Sequence, residues 1–291
     1  MNKLLVTQRF LKKLKLDGDF YDLPYDLKIA TITLTCKLDT LMNIKTIGYY
    51  LDLNINDVVY VKYGPDLIVR SLIKLKKNYK IKTPVEKKKN FQNQVSVKIM
   101  IRNKRCITVK LFSNGAMQIT GCKTIYNFVE VMTILCSKLL DVKFVYDTAT
   151  KKIIKKTFVT NPNGVKIINI TCLTIRMINS SFHVGFLIDR IILYKLLLEK
   201  GHECTYDQCS HAGINLKYKI GDDTISLLIF ESGSIIITGA KTKNHIWEAY
   251  DFIVKILYEN FNVIVKLDMG QLLNRPDIKK MIKDECELIK K

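Results

Sequence analysis

The sequence predicts an α+β protein made of two repeats, each an antiparallel sheet with helices on one face. Three observations carry that expectation. "VKLFSNGAMQITGCK" (Val109–Lys123) and "LLIFESGSIIITGAK" (Leu227–Lys241) share one skeleton: a Phe, a short polar turn with Gly, an alternating run, then Thr-Gly-x-Lys. A helical pattern follows each. It runs through Phe128, Val131, Ile134 and Leu139 in the first case, and through Ile246, Tyr250, Ile253 and Leu257 in the second, with Trp247 and Val254 widening the stripe. Each half also opens on a β-rich run holding a Thr-Cys pair, "IATITLTCKLD" (Ile29–Asp39) and "KIINITCLTIRM" (Lys166–Met177). The order strand, helix, several strands, long helix then occurs twice, as in antiparallel sheets with helices on one face.

Along the chain, residues 1–26 form an N-terminal extension. Basic residues in "MNKLLVTQRFLKKLKLDGDF" break up any apolar core, so it is not a secretion signal. The first repeat covers 27–148 and carries a basic insert at about 51–90, ending in "RSLIKLKKNYKIKTPVEKKKNF" (Arg70–Phe91). Its "EKKKN" reads as a solvated or DNA-flanking run ahead of an import signal. A basic linker, 149–165, contains "KKIIKKTF". The second repeat covers 166–265, and its counterpart to the insert, "LEKGHECTYDQCSHAG", is shorter and far less basic. Residues 266–291 read as a charged helix starting near Pro276 and a solvated tail. Trp247, on its helical stripe, is expected in the core.

Alternation assigns the faces of the hairpins. Val109, Leu111, Met117 and Ile119 share a core face in the first, with Lys110, Phe112, Gln118 and Thr120 on the other. In the second, Leu227, Ile229, Ile235 and Ile237 match the core face, and Leu228, Phe230, Ile236 and Thr238 match the other. That second outer face is mostly apolar. Either a ligand docks there or a further layer of chain covers it.

The totals bound the function. At 291 residues with 48% hydrophobic content the chain can bury a real core. The 47 Lys and Arg against 27 Asp and Glu leave +20, which points to a polyanionic partner, most often nucleic acid, although AT-biased coding also enriches lysine. Eight scattered cysteines read as reduced intracellular thiols. No apolar run reaches the roughly 20 residues needed to span a bilayer. The protein is expected to be soluble and intracellular. His202, Cys204, Cys209 and His211 include zinc-type ligands, but they crowd into one short stretch without a loop between pairs, and no metal is assigned. No Gly-rich phosphate loop, His-Glu-x-x-His or nucleophile motif appears, so neither a cofactor nor catalysis is expected.

"LLIFESGSIIITGAK" with "EAYDFIVKIL" closely resembles the second repeat of the TATA-box-binding protein family. "IATITLTCKLD" and "IKTIG" resemble the opening of its first repeat, and "TYDQCSHAGINLKY" resembles the loop and strand before the second hairpin. The resemblance runs from about Leu27 to Phe261, outside the insert. Lysine-rich composition and that insert suggest a divergent member from a large DNA virus. The family implies a pseudo-two-fold saddle with a curved antiparallel sheet and helices on its convex face. It also implies binding in the DNA minor groove, with wedged phenylalanines kinking the duplex, for which this family is a standard example.

Carried over residue by residue, the resemblance places wedges at Phe91, Phe112 and Phe230. His211 stands at the fourth wedge, which would make the second kink shallower or absent. Groove-floor positions fall on Ile29, Gln118, Thr120, Leu228, Ile236 and Thr238. The family's central asparagines fall on Leu27 and Ile167, with Asn169 as a substitute. Lys110, Lys123, Lys217 and Lys241 fit phosphate contacts. Asp207, Cys209 and Ser210 replace the two glutamates and leucine that would meet transcription factor B. The implied partners are double-stranded, AT-rich promoter DNA, a transcription factor B-like protein and the RNA polymerase machinery, with a monomer on DNA and no membrane. The implied compartment is the nucleus or a cytoplasmic viral factory. Two other readings stay open: a scaffold of the same fold that recruits proteins without bending DNA, and a nucleic-acid enzyme.

Overall fold

β-Branched residues alternate with polar ones through most of the strands expected above, and such runs pair before they pack. The computed structural model describes residues 3–16, 20–64, 66, 68–74, 93–209, 212–267 and 279–281. It divides into two compact units: Met1–Asp22 with Ile29–Ile178, and Leu23–Lys28 with Asn179–Lys291.

The first unit contains α1 (Lys3–Lys13), β1 (Lys28–Lys37), α2 (Ile44–Tyr50), β2 (Val58–Tyr63), β3 (Ile68–Ser71), β4 (Gln94–Met100), β5 (Cys106–Phe112), β6 (Ala116–Cys122), α3 (Ile125–Leu139), β7 (Val142–Asp147) and β8 (Lys152–Thr157). Its main sheet runs β1-β6-β5-β4-β2-β3, with the measured pairs antiparallel. Strand β9 (Thr171–His183) belongs to this unit through Ile178 and to the second from Asn179. The second unit adds α4 (Arg190–Glu199), β10 (Cys204–Thr205), β11 (Gly213–Ile220), β12 (Asp223–Phe230), β13 (Ser234–Ala240), α5 (Lys243–Glu259) and α6 (Phe261–Ile264). Its strand order, β9-β13-β12-β11-β10, repeats that of β1-β6-β5-β4-β2. Strand β3 has no counterpart in the second unit among the described residues. It is clamped to the end of α2: Arg70 donates from Nε to the Gly48 carbonyl (3.1 Å) and from Nη2 to the Leu51 carbonyl (2.8 Å).

The repeated Thr-Gly-x-Lys is a strand-to-helix joint. Gly121 and Gly239 take φ of +112° and +94°, so Thr120 and Thr238 face away from the core while Cys122 and Ala240 enter it. Thr124 and Thr242 then cap the helices, accepting from the backbone N–H of Asn127 and His245 (3.1 Å each). Asn127 Oδ1 and His245 Nδ1 accept in return from the backbone N–H of Lys123 (3.1 Å) and Lys241 (3.4 Å). The turn glycines are equally fixed. At Gly115 (φ +84°) a Cβ would lie 2.3 Å from the Thr40 carbonyl oxygen, and at Gly233 (φ +82°) 2.2 Å from that of Phe186.

Each core lies between one sheet face and its long helix, as the alternation predicts. Val109, Leu111, Met117 and Ile119 are buried in the first unit with Phe128, Met132 and Leu135 of α3. Leu227, Ile229, Ile235 and Ile237 are buried in the second with Ile246, Ala249, Ile253 and Leu257 of α5. The chain is therefore α+β, with a duplicated antiparallel sheet and helices on one face of each copy.

Several expectations are corrected. Trp247 is 38% exposed, because the buried arc of α5 runs through Ile246, Ala249 and Ile253, about 100° away per residue of helix. The opening of the second repeat is not a strand from Lys166. Ile167–Asn169 is a 3-10 turn, and β9 starts at Thr171. "KKIIKKTF" is mostly strand β8, paired with β7, rather than a bare linker. The N-terminal extension forms α1, which packs on α3: the Phe10 and Phe128 rings meet edge to face at 5.4 Å. Part of the basic insert forms β2 and β3, while residues 75–92 lie outside the described residues. Of the expected C-terminal helix, 279–281 are described and helical. No helix among the described residues is long and apolar enough to cross a membrane.

Candidate nucleic-acid interface

The sheet face turned away from the long helix carries a ladder of side chains in each unit, most of them half-buried, with Lys62 exposed and Thr33 buried at its ends. Strand register fixes its rows. In the first unit one row is Lys62, Ser96, Lys110, Gln118, Thr35, and the next is Tyr60, Lys98, Thr108, Thr120, Thr33. In the second unit the matching rows are Asn215, Leu228, Ile236 and Lys217, Ser226, Thr238. Phe112 and Phe230 end β5 and β12, opposite Gln94 and Gly213. The rows hold no carboxylate, and their charges are lysines. Such a face can hold a polyanion over an apolar and hydroxyl floor, with an aromatic ring at the end of each hairpin.

Most of the expected site residues meet on these faces: Phe112, Lys110, Gln118 and Thr120 in the first unit, and Phe230, Leu228, Ile236, Thr238 and Lys217 in the second. Ile29 sits near the start of β1, buried and in alternation with Thr31. Lys123 and Lys241 stand at the helix joints rather than on the strands. Phe91, Ser210 and His211 lie outside the described residues. Asn169 does not reach the sheet. It sits in the 3-10 turn, where its Nδ2 donates to the Asn163 carbonyl at 3.2 Å, because that turn interposes before β9 begins.

Three residues escape the sequence reading. Lys98 occupies in the first unit the position that Lys217 holds in the second, and its ammonium lies 5.0 Å from the Tyr60 ring centre. Asn179 of β9 accepts from Thr238 Oγ1 at 2.7 Å, so an asparagine does border the floor, ten residues beyond the expected Asn169. Asn215 lies beside Leu228 and lines a cavity of about 600 Å³ with Tyr194, Tyr206 and Phe230. Its Oδ1 is buried without a hydrogen-bond partner, as is the Tyr206 hydroxyl. The signal for Lys98 was present: "VSVK" and "INLK" precede the two hairpins in the same apolar-polar-apolar-Lys order.

The lysines differ in electrostatic freedom. Lys217 Nζ donates to Ser226 Oγ at 2.7 Å. Lys241 Nζ pairs with Asp223 at 2.5 Å, and that hydrogen bond holds the Asp223 carboxyl below its usual range. Next to Phe230, Glu231 accepts from Lys266 Nζ (2.6 Å) and Arg190 Nη2 (2.7 Å). These bonds, that from Lys266 first, lower the Glu231 pKa from its ordinary 4.5. A carboxyl with a depressed folded-state pKa stabilises fully above its unfolded value, and this contribution fades as pH falls through the folded one. Glu231→Gln should therefore lower stability slightly at neutral pH, by under about 1 kcal/mol for so exposed a pair. The gap from wild type should close below about pH 4 in thermal melts.

Among the described residues no group of three His, Cys, Asp or Glu could hold a metal ion. Cys204 is buried in β10, where burial raises its thiol pKa. The His202 ring packs edge to face on Phe252 at 5.4 Å.

The family described as transcription factor TFIID (or TATA-binding protein, TBP) matches residues 172–260, from the second residue of β9 to the residue after α5. A TATA-box-binding protein-like protein of Acanthamoeba polyphaga mimivirus is 34% identical over 274 residues, which is 88% of this chain and 71% of that protein. A TATA-box-binding protein of Aeropyrum pernix is 28% identical across 53% of this chain and 62% of its own. Among solved structures, Methanococcus jannaschii TBP aligns with 80% of this chain and 99% of its own, at 16% identity and a TM-score of 0.47.

Proposed function

The chain belongs to the TATA-box-binding protein family, and from that premise we propose that it binds promoter DNA in the minor groove and bends it to start transcription. One observation carries the reading: the same carboxylate-free face occurs twice, each time with a phenylalanine ending the hairpin and a lysine beside a Thr or Ser row. Minor-groove binders of this kind unstack base steps with apolar wedges at a few kcal/mol per step, and wrap more duplex in return. Phe112 and Phe230 are the wedges, joined by Phe91 and, more weakly, His211. Thr120, Thr238, Leu228, Ile236, Ile29 and Gln118 form the floor. Lys98, Lys110, Lys123, Lys217 and Lys241 meet phosphates, Lys241 after releasing Asp223. AT-rich sites suit such a floor, since the guanine amino group crowds the minor groove. The loop with Asp207 and Cys209 would meet a transcription factor B-like protein and the polymerase machinery, on a monomer, in the nucleus or a cytoplasmic viral factory.

The test is end-to-end fluorescence transfer on a short duplex with a central TATA-like run, beside a GC-rich control, at two salt concentrations. Shortening on the AT-rich duplex alone is expected. The first unit's floor is more polar, with Lys110 and Gln118 where the second has Leu228 and Ile236. That difference favours a second reading, a scaffold that recruits proteins without bending DNA. Equal binding of both duplexes without shortening would select it. Labelled DNA cut by the purified protein would instead revive the enzyme reading.

Lys98→Ala and Lys217→Ala should weaken binding uniformly across sequences and leave the bend angle unchanged. Each should reduce the slope of log K against log salt by about 0.9, the contribution of one phosphate contact. Titration across a salt series reads this directly. An unchanged slope in both variants would remove these residues from the phosphate set.

A further inference from the structure

The β7–β8 hairpin leaves a face that no described residue of the first unit covers. Register places Val142, Phe144 and Tyr146 of β7 on one side with Thr157, Lys155 and Ile153 of β8. Four of these are apolar and open: Val142 is 40% exposed, Phe144 70%, Tyr146 59% and Ile153 70%. The opposite side is the anchored one, with Val145 and Ile154 half-buried and Lys143 paired to Asp52. Both ends of the hairpin are tied down, by α3 before it and by buried Phe158 after it. A two-stranded hairpin is marginally stable alone in water, and aromatic side chains held outward on one add nothing to a core.

We propose that this face docks an acidic protein segment bearing apolar side chains. The distribution of charge selects the partner. Register sets Lys155 on this face, Lys151 lies in the turn at its end, and the hairpin as a whole carries five lysines against one carboxylate, so an apolar face sits in a positive surround. Asp147, the single carboxylate of the hairpin, lies on the opposite side by register, where it accepts from Thr150 Oγ1 (2.7 Å) and the Ala149 N–H (3.2 Å). A nucleic acid strand would need its cations on the stacking face itself. Only Lys155 is there, while Lys143 points to the other side and is already paired. The patch is small, so the contact is a transient one with a short segment rather than a stable dimer interface.

The test uses the full chain and a short fluorescent peptide alternating Glu with Leu and Phe, read by anisotropy. Saturable binding is expected. Phe144→Ala with Tyr146→Ala should weaken it at least tenfold, as should Lys151→Glu with Lys155→Glu, while Tyr146→Phe should bind like wild type. All the changed side chains are exposed, and thermal melts check that the variants fold. Three results would overturn the proposal: no binding, equal binding of an all-Glu peptide of the same charge, or preferential binding of an oligo-dT strand that depends on Phe144 and Tyr146. Sedimentation showing a dimer abolished by the same aromatic variants would overturn it in favour of a second copy of the chain.

Discussion

Phe230→Ala should abolish most of the shortening of an AT-rich duplex, and Phe112→Ala should do the same from the other unit. Removing a wedge removes the unstacking it causes, so the bend relaxes even where lysine contacts persist. Affinity should fall by roughly ten- to a hundredfold, the scale of losing a few kcal/mol of net contact. The two rings are held differently. Gly213 lies opposite Phe230, and a Cβ there would come within 3.1 Å of two ring atoms, so the ring lies across the neighbouring strand. Gly213→Ala should therefore displace the Phe230 ring and mimic part of the Phe230→Ala defect without removing the side chain. Phe112 faces Gln94, where no such constraint acts. Fluorescence transfer with each variant, beside anisotropy for affinity, separates bending from binding. Full shortening in both Phe variants would sink the wedge assignment.

Phe128→Ala should cost about 3–5 kcal/mol, the usual loss for a fully buried aromatic. That is a large share of the total stability of an ordinary domain. Phe128 has no exposed surface. Its ring meets Phe10 of α1 at 5.4 Å while α3 packs on β4 and β6. The substitution cuts the link between the sheet, α3 and α1 at one point. Thermal or urea denaturation gives the magnitude. Hydrogen exchange should show α1 losing protection first, since Phe10 is one of its three buried residues. A cost under about 1 kcal/mol would mean that the site collapses around the missing ring.

Much of this architecture is legible in the sequence because strand alternation has a short period and the hairpins are long. Leu227, Ile229, Ile235 and Ile237 could be assigned to the core from spacing alone. The Thr-Gly-x-Lys repeat marks a joint whose parts, a bulge glycine and a capping threonine, act locally. The equivalence of β1 and β9 is not local. Thr35-Cys36 and Thr171-Cys172 look like a matched pair, yet the partner strands decide the register. Thr33 pairs with Thr120, and it is Asn179 that meets Thr238. The sequence pattern therefore set Asn169 on a strand that had not yet begun. Trp247 shows the opposite limit, since a helical stripe two residues wide does not say where its buried centre lies. The docking of α1 rests on contacts far apart in the chain, the Phe10–Phe128 pair and the bond from Lys13 Nζ to the Ile170 carbonyl among them, and short amphipathic segments carry no sign of where they land.

Among the described residues strand β3 belongs to one half only, and the floor of that half carries Lys110 and Gln118 where the other carries Leu228 and Ile236. A protein with two equal halves would lie on its target forwards or backwards with the same energy. On the proposed function, unequal halves would give the chain a head and a tail, and a complex assembled on it would inherit an arrow.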